Sequence, residues 1–361
     1  MTRTILTRAE IGADANVATP CVTLKNGQFV KLDFEDWPCE HVSPLLAAAG
    51  IRSSIKDMLK WCKAVLSAER EELCHIHGTP QTRFPIPNNP LKQISRIRRG
   101  YWARPDDDPS TSKSAAYCMG WVRLDLPSSM LGAFSGNVLS REKGSKNHLR
   151  PEFVLGRSSD PLLVIGHTGG MPGSLATIWT FPETESDVVV LTNGRGLGDA
   201  SDFVAQILIQ ELFDLKPKVN LIPWVRHETK LAQGYFEETM LEPWKQGRAP
   251  DASMRSPESY VGEYRGFDGL FNLDVLMEDS GDLCVIFNRR RASMTSLMFF
   301  TRDIYSYFIP DFDRWMSRGI SVNKFEQTLL EFNFDEAEGV TIGLWWLRNS
   351  KEERAYFKKV I

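Results

Sequence analysis

The segment from Gly166 to Gly173, GHTGGMPG, has the residue types most suited to binding a ligand. It contains four glycines and one proline in eight positions and directly follows an apolar stretch, Leu162–Ile165. Glycine at this density lets a backbone approach a ligand closely or adopt conformations closed to other residues. His167 stands at the end of that predicted strand, where an imidazole could bind an acyl or carboxylate group or transfer a proton. Local sequence alone favours a simpler alternative, a tight hairpin whose histidine is a polar edge residue.

The pair His75 and His77, next to Cys74, is a second candidate for chemistry. This spacing could form one corner of a metal site, but no third ligand follows at a recognisable distance, so we predict a solvated loop. The six cysteines are scattered without a CxxC pair, which favours reduced thiols over a disulfide framework or a zinc site. We expect no metal and no other cofactor.

Early in the chain, a hairpin and a helix are predicted. Residues 21–32 alternate around Asn26-Gly27, the dipeptide most typical of a short hairpin turn. A helix is predicted to begin after Ser54 as N-cap, with Asp57 as its capping-box partner, because the apolar positions that follow recur at the helical period.

The centre of the chain is predicted to form strands packed by helices, an α+β core. GHTGGMPG is predicted to join the first two of three strands, which are Leu162–Ile165, Leu175–Phe181 and Val188–Leu191. A helix from about Ala200 to Phe213 is predicted to pack through one apolar side, formed by Phe203, Val204, Ile207, Leu208 and Leu212. A further helical stretch is predicted from roughly Arg226 to Trp244.

The composition changes after residue 244, which predicts two domains. Residues 245–257, KQGRAPDASMRSP, are rich in Pro, Gly and Ser and are predicted as a linker between residues 1–244 and 258–361. Beyond the linker, short apolar runs alternate with turn residues, which predicts an all-β barrel or sandwich. The predicted strands there are Tyr260–Tyr264, Phe271–Leu276, Leu283–Phe287, Met298–Phe300, Ile304–Ile309 and Thr328–Phe334.

The overall composition excludes several classes of protein. The 361 residues are 42% hydrophobic and 25% charged, which is typical of a globular protein and excludes a disordered or fibrous chain. Lys and Arg nearly balance Asp and Glu, 43 against 46, so we expect neither nucleic acid nor a membrane as partner. The first residues contain no apolar signal segment and no stretch is as long as a membrane span, so a cytoplasmic location is the default expectation.

Three separated segments occur in the order and at the spacing of one known family. They are AAGIRSSIKDMLKW at Ala48–Trp61, YCMGW at Tyr117–Trp121, and His167-Thr168-Gly169 with the stretch that follows it to Asn193. On these segments the chain resembles the β-lactamase-related serine hydrolases, which include class C β-lactamases, D-alanyl-D-alanine carboxypeptidases, D-aminopeptidases, and related esterases and acyltransferases. The C-terminal region, which opens with YVGEY at Tyr260, resembles the lipocalin-like domain appended to some members.

The resemblance implies both a fold and a reaction. The fold would be an antiparallel sheet packed by helices, followed by an all-β lipocalin-like barrel. The reaction would pass through a serine acyl-enzyme formed from an amide, ester or thioester, with a small acyl or peptide-like molecule as substrate. By the same resemblance, His167 would contact the substrate carboxylate and order the proton network, and the backbone N–H of Gly170 would be one oxyanion-hole donor. Thr168 and Gly169 would contribute to substrate binding.

Two motifs of the family are not found where the resemblance requires them. The nucleophilic motif Ser-Xaa-Xaa-Lys and the motif Tyr-Xaa-Asn precede the matched region, and Met1–Thr4 resembles a stretch that follows both. No Tyr-Xaa-Asn occurs in this chain, and its Ser-Xaa-Xaa-Lys matches stand at other places: Ser53/Lys56, Ser110/Lys113, Ser140/Lys143 and Ser321/Lys324. Helix capping explains the serines at 53 and 54 without catalysis. The nucleophile is therefore unknown, and this C-terminal portion of a family member is expected to be inactive alone.

Three interpretations of the function stay open. The chain could be a hydrolase or acyltransferase of this family, a pseudoenzyme that binds a small molecule or a partner, or a tailoring enzyme of secondary metabolism that transfers or hydrolyses acyl groups. An incomplete α+β domain would expose part of its apolar core face. We therefore also expect self-association, or a partner that covers this face.

Overall fold

A computed structural model describes residues 1–6, 8–11, 16–32, 48, 50–104, 115–137, 151–320, 322, 324–347 and 354–360. The Ser-Xaa-Xaa-Lys matches at Ser110 and Ser140, and the serine of the match at Ser321, lie outside the described residues. Two compact units follow one another: the first extends from Met1 to Gln233 and the second begins at Gly234. Residues 245–257, predicted as a linker, lie within the second unit.

The strands of the first unit form two sheets. Their bounds are β1 Cys21–Thr23, β2 Phe29–Lys31, β3 Trp102–Arg104, β4 Ala115–Tyr117, β5 Val122–Leu126, β6 Leu162–Met171, β7 Ser174–Phe181, β8 Ser186–Thr192 and β9 Gly194–Arg195. Among the described residues, β3 to β8 make a six-stranded antiparallel sheet in chain order. The predicted hairpin is confirmed, since β1 and β2 pair antiparallel, and β1 also pairs in parallel with β9.

The prediction that GHTGGMPG joins two strands is wrong, because β6 continues through most of it. The pairing of β6 with β7 runs without a break from Ile165 opposite Thr180 to Met171 opposite Ser174, and only Pro172-Gly173 forms the turn. Only glycine can occupy position 166 of the strand, because the Cβ of any other residue would collide with the carbonyl oxygen of Ile178, at 2.0 Å. Close contact with β7 therefore requires glycine at this position and outweighs its weak strand preference.

Helices of very different lengths accompany these sheets. Their bounds are α1 Ile55–His77, α2 Ile94–Ile97, α3 Ala200–Leu212, α4 Ile222–Tyr235, α5 Glu242–Gly247 and α6 Phe312–Ser317, with a π-helical turn at Phe236–Leu241 between α4 and α5. The predicted stretch from Arg226 to Trp244 is therefore helical throughout. None of the helices in the described part of the chain has the length and apolar character needed to cross a membrane.

Helix α1 begins at the predicted N-cap. The Ser54 hydroxyl accepts the backbone N–H of Asp57 at 3.3 Å. The Asp57 carboxylate accepts the N–H of Arg3 at 2.7 Å and the hydroxyl of Thr4 at 3.1 Å, so it fixes the start of the chain to this helix end. The prediction of a loop at His75 and His77 is wrong, because both residues lie in the last turn of α1. The helix dipole stabilises cationic side chains at such a position.

Helix α3 reverses the predicted burial of its faces. The apolar residues Val204, Ile207, Leu208 and Leu212 are 42–51% exposed, whereas Phe203 is buried on the opposite side. The polar residues Ser201, Asp202, Gln206 and Gln210 are buried with it. The polar face is turned inward because its side chains bind polar groups of the unit: Gln210 Nε2, for example, donates to the carbonyl oxygen of Val219 at 3.3 Å.

The first unit has an apolar core on each side of its sheet. Phe203 and Ile209 of α3 pack against one face of the sheet, and Val65 and Ala68 of α1 pack in a second cluster with Ile165. Next to this second cluster, the fully buried Arg98 lies 3.1 Å from the carboxylate of Glu69 in α1. A buried guanidinium needs such a partner because an unpaired charge would be strongly destabilising.

The second unit contains a nearly closed antiparallel barrel-like sheet, as the fold class predicted. Its strands are β10 Gly262–Gly266, β11 Phe271–Met277, β12 Leu283–Phe287, β13 Thr295–Ser296, β14 Met298–Thr301, β15 Ile304–Ser306, β16 Leu329–Asp335, β17 Val340–Trp346 and β18 Ala355–Lys359. In the described residues the sheet runs from β13 to β14 through the other seven strands, and only Leu297 separates these two end strands along the chain. The sequence patterns predicted β11 and β12 closely but missed β17 and β18.

The interior of this sheet is filled by aromatic side chains. The ring of the buried Tyr260 lies 4.9 Å from the rings of Tyr305 and Phe332 and 5.5 Å from that of Phe334, measured between centroids. These edge-to-face contacts are the favoured geometry for aromatic pairs. The barrel-like sheet is therefore stabilised by a packed aromatic core.

Candidate functional site

The candidate site lies where β6 extends past its neighbour β5. The pairing of β5 with β6 ends at Val122 opposite Gly166, whereas β6 continues for five residues to Met171. Among the described strands, this extension pairs only with β7. Within the described residues, one edge of the extension therefore has no strand beside it and is open to another hydrogen-bonding backbone. The extension contains His167, Thr168, Gly169 and Gly170.

The imidazole of His167 makes a polar contact at each nitrogen. Its Nδ1 contacts the carbonyl oxygen of Thr168, and its Nε2 lies 3.4 Å from the phenol oxygen of Tyr117. A carbonyl oxygen can only accept, so we assign the proton to Nδ1. Nε2 is then the acceptor for the Tyr117 hydroxyl, at the long end of hydrogen-bond distances.

The glycines of the extension differ in what the fold requires of them. A Cβ at Gly169 would have no heavy atom within 4 Å, and one at Gly170 would lie 3.2 Å from a methyl group of Leu175. At Gly173, in contrast, the φ angle is +71° and a Cβ would lie 2.7 Å from Pro20. The fold therefore explains Gly173, but nothing in the described residues explains why position 169 lacks a side chain.

Thr168 is placed differently from its neighbours. Its side chain is buried, and its Oγ1 has no hydrogen-bond partner among the described residues. Burial of a hydroxyl without a partner typically costs about 1–3 kcal/mol. A substrate on the open edge of β6 would thus meet the backbone of Thr168 rather than its hydroxyl group, whereas Gly169 and Gly170 are exposed.

Aromatic side chains that sequence reasoning did not select as site residues surround His167. The rings of Tyr117 and Phe134 lie 5.8 and 5.6 Å from the imidazole and 5.5 Å from each other, and Trp102 lies 6.4 Å from Tyr117. Tyr117 belongs to the YCMGW segment, so the sequence contained a signal for it. Phe134 had no comparable signal, because only the folded chain brings it to His167.

Phe134 is held in place by polar contacts of the residues that follow it. The hydroxyl of Ser135 lies 2.9 Å from Oδ2 of Asp202, and the amide of Asn137 donates to the same oxygen at 2.9 Å. Asn137 also donates to the backbone oxygen of Asp199 at 2.8 Å. Burial raises the pKa of Asp202 to about 6, while hydrogen bonds from Asn137, Gln206 and Ser135 favour its ionised form.

The other candidate groups show no site. Ser53 Oγ lies 2.8 Å from the hydroxyl of Thr4, and Lys56 is exposed, so this Ser-Xaa-Xaa-Lys match lacks a Ser–Lys contact within the described structure. His75 and His77 are exposed at the end of α1. In the described part of the chain, no group of three or more His, Cys, Asp or Glu residues could hold a metal ion.

Comparison with known families gives one match. A family model described as Beta-lactamase matches residues 1–211, more than half of the chain. The chain therefore belongs to the beta-lactamase family.

Solved structures show more distant likenesses. The octameric penicillin-binding protein homologue from Pyrococcus abyssi is 14% identical, with a TM-score of 0.37 and coverage of 99% of this chain and 57% of the other. SurE is 14% identical, with a TM-score of 0.29 and coverage of 97% and 57%. SurE with D-Leu is 13% identical, with a TM-score of 0.23 and coverage of 87% and 52%. The chain thus spans little more than half the length of these structures, and no curated protein matches it.

Proposed function

We propose that this chain supplies the substrate-binding edge strand of an acyl-transfer or hydrolytic site that acts on an amide, ester or thioester. The observation that carries the proposal is the extension of β6, where His167, with its Nε2 3.4 Å from the Tyr117 hydroxyl, lies beside an open strand edge. A small acyl or peptide-like substrate would lie along this edge. Backbone hydrogen bonds from an open edge favour extended, peptide-like ligands.

Each group of the extension has a distinct role in this proposal. The backbone N–H of Gly170 donates to the developing oxyanion of the substrate carbonyl, since a fixed donor stabilises charge that appears in the transition state. To bind the substrate carboxylate, Nε2 of His167 takes up a proton from solvent and donates to the carboxylate together with the Tyr117 hydroxyl, while Nδ1 keeps its contact with the carbonyl oxygen of Thr168. The bare backbone at Gly169 leaves space for the substrate chain. Thr168 contributes its backbone to the same edge.

The proposal assigns no nucleophile to this chain. In the family mechanism the nucleophile is a serine activated by a lysine, and the Ser53/Lys56 pair shows no such contact. We therefore expect the chain alone to bind substrates without forming an acyl-enzyme. The tailoring reactions of secondary metabolism belong to the same chemistry and differ only in the acyl group.

The exposed apolar side of α3 favours a second property, self-association. Val204, Ile207, Leu208 and Leu212 form an exposed apolar stripe, interrupted by the exposed Glu211, on a helix whose other polar residues Ser201, Asp202, Gln206 and Gln210 are buried. Such a stripe on a folded protein is typical of an interaction surface. In this second proposal, a second copy of the chain or another protein covers the stripe, and the property is compatible with either an enzyme or a pseudoenzyme.

Two measurements on the purified chain test the proposed function. The ¹H–¹⁵N spectrum of the histidine side chains, assigned with His167→Gln, should show His167 as the imidazole that shifts on titration with N-acetylglycine. Intact-mass spectrometry after incubation with benzylpenicillin or a fluorophosphonate should show no added mass. Shifts confined to other histidines would overturn the proposed binding site, and a stoichiometric adduct on any serine would overturn the absence of a nucleophile.

A further inference from the structure

The rings beside His167 form a continuous surface that the family chemistry does not require. Neighbouring centroids along the series Trp102, Tyr117, Phe134 and His167 are only 5.5–6.4 Å apart. Trp102 is 59% exposed and Phe134 is 36% exposed, so the outer rings reach solvent. We call these four side chains the aromatic wall.

The spacing of the rings decides which chemical group would fit this wall. A cage for a cation needs rings that stand apart around a central space, whereas these rings pack against one another with tilts of 39–47° along the series. Trp102, Tyr117 and Phe134 carry no formal charge. A flat apolar group could therefore lie on the wall, and a quaternary ammonium group would find no enclosure.

The wall is joined to the open edge of β6 through His167. The imidazole is both the end of the wall and the first residue of the strand extension that includes Gly169 and Gly170. A ligand whose carbonyl lies at Gly170 and whose carboxylate lies at His167 would direct the side chain next to that carboxylate toward the rest of the aromatic wall. The wall is thus placed to contact the side chain of the same ligand that lies next to its carboxylate.

We propose that the aromatic wall is a specificity subsite for aryl substituents, so that the substrates of this site are acyl compounds carrying a phenyl-like ring. This inference rests on the proposed function, because it takes the carbonyl of the substrate to lie at Gly170. Stacking and edge contacts of one phenyl ring with such a surface should increase affinity about tenfold over the same ligand without the ring.

The test compares N-acetylphenylalanine with N-acetylalanine, which lacks only the phenyl ring, by ligand-observed NMR titration of the full chain. The wild type should bind the phenyl compound about tenfold more tightly, and Trp102→Leu with Phe134→Leu should reduce this ratio to near one. Both substitutions keep an apolar side chain at an exposed position, and circular dichroism checks the fold. Phe84→Leu is the matched control, because this exposed ring lies against the ammonium group of Lys63 and should leave the ratio unchanged.

The outcomes separate this inference from the proposed function. Equal binding of both ligands, weakened in parallel by His167→Ala, would overturn the aryl subsite and leave the His167 site standing. Binding of neutral phenylacetamide that depends on Trp102 but not on His167 would support the aromatic wall and overturn the proposed function. Failure of both N-acetyl amino acids and of phenylacetamide to bind would overturn both the aryl subsite and the proposed function.

Discussion

The hydroxyl oxygen of Ser135 lies 2.9 Å from Oδ2 of the fully buried Asp202 and 2.8 Å from the carbonyl oxygen of Gly132. A serine hydroxyl has a single proton to donate. When Asp202 is protonated, its carboxyl group can donate to Ser135, and Ser135 can donate to Gly132. When Asp202 is ionised, the two oxygens compete for the Ser135 proton. The contact that holds Phe134 near His167 therefore has two hydrogen-bond patterns, selected by the proton on Asp202.

Replacement of Asp202 by Asn should flatten the pH dependence of stability. The folded chain keeps the Asp202 proton up to about pH 6, whereas the unfolded chain releases it near 3.8. Between these values the folded state binds more protons, so stability falls as pH rises, by on the order of 3 kcal/mol at completion. In urea unfolding, the free energy of unfolding of Asp202→Asn should fall less between about pH 4 and pH 7 than that of the wild type, because the variant has no carboxyl group at this position.

An exposed aspartate of the same unit provides the control for this measurement. Asp160→Asn removes one carboxylate from the surface and should leave the wild-type pH dependence in place. Identical pH dependence in the wild type and Asp202→Asn would contradict a buried carboxyl group that keeps its proton.

Loss of the Tyr117 hydroxyl should change the imidazole of His167 while the fold stays intact. In Tyr117→Phe the phenol no longer donates to Nε2, but Nδ1 still has the carbonyl oxygen of Thr168 as its partner. We expect a change in the Nε2 chemical shift, with the proton retained on Nδ1, and a two- to tenfold loss of affinity for acetylglycine, as for one ordinary hydrogen bond.

Tyr101→Phe is the matched variant for this prediction. The Tyr101 hydroxyl donates to the carbonyl oxygen of Arg96 at 2.8 Å, so its removal should not affect His167. An unchanged Nε2 resonance in Tyr117→Phe, or an equal change in both variants, would contradict this prediction. The 3.4 Å contact between the Tyr117 hydroxyl and Nε2 of His167 would then not determine the chemical shift of Nε2.

The site shows clearly where reading the sequence succeeds and where it stops. The apolar run Leu162–Ile165 predicted the beginning of β6, and the family resemblance placed the candidate site at His167-Thr168-Gly169, whereas the glycine-rich segment itself was wrongly predicted to join two strands. The full length of β6 could not be predicted in this way. It depends on pairing with residues of β7 from Ser174 to Thr180, and this ladder overrides the low strand preference of glycine.

Helix α3 shows a second limit of prediction from sequence. Its apolar residues recur at helical spacing, and this pattern normally predicts the buried face. Here the opposite face is buried because Asp202 and Gln206 bind each other and Asn137 comes to Asp202 from a distant segment. Hydropathy contains no information on such partners. The pattern therefore predicted the helix correctly and its orientation wrongly.

Alanine at Gly169 should separate ligand binding from folding. Nothing lies within 4 Å of a Cβ there, so Gly169→Ala should change the free energy of unfolding by no more than about 0.5 kcal/mol. The added methyl group would project from the same face of the sheet as His167, next to the open strand edge where the substrate is proposed to lie. We expect acetylglycine binding, followed by NMR titration, to weaken at least about tenfold, the equivalent of about 1.4 kcal/mol.

Gly166→Ala is the opposite case on the same strand. Its Cβ would lie 2.0 Å from the carbonyl oxygen of Ile178 and 2.4 Å from the ring of Trp179, so we expect a loss of about 1–3 kcal/mol or more in stability. Thermal unfolding of both variants checks the contrast. If Gly169→Ala binds acetylglycine with the same affinity as the wild type, the substrate does not lie along the open edge of β6.

A lysine at Leu208 should weaken self-association of the chain without unfolding it. Leu208 is 44% exposed in the apolar stripe of α3, and lysine is a good helix former, so stability should change by no more than about 0.5 kcal/mol. Association would require this charge to lose its contact with water, which opposes the burial of the stripe. Multi-angle light scattering across a concentration series should show a lower mean mass for Leu208→Lys than for the wild type. Leu270→Lys, an exposed apolar position in a turn of the second unit, should behave as the wild type, and a wild-type chain that stays monomeric throughout would refute self-association through α3.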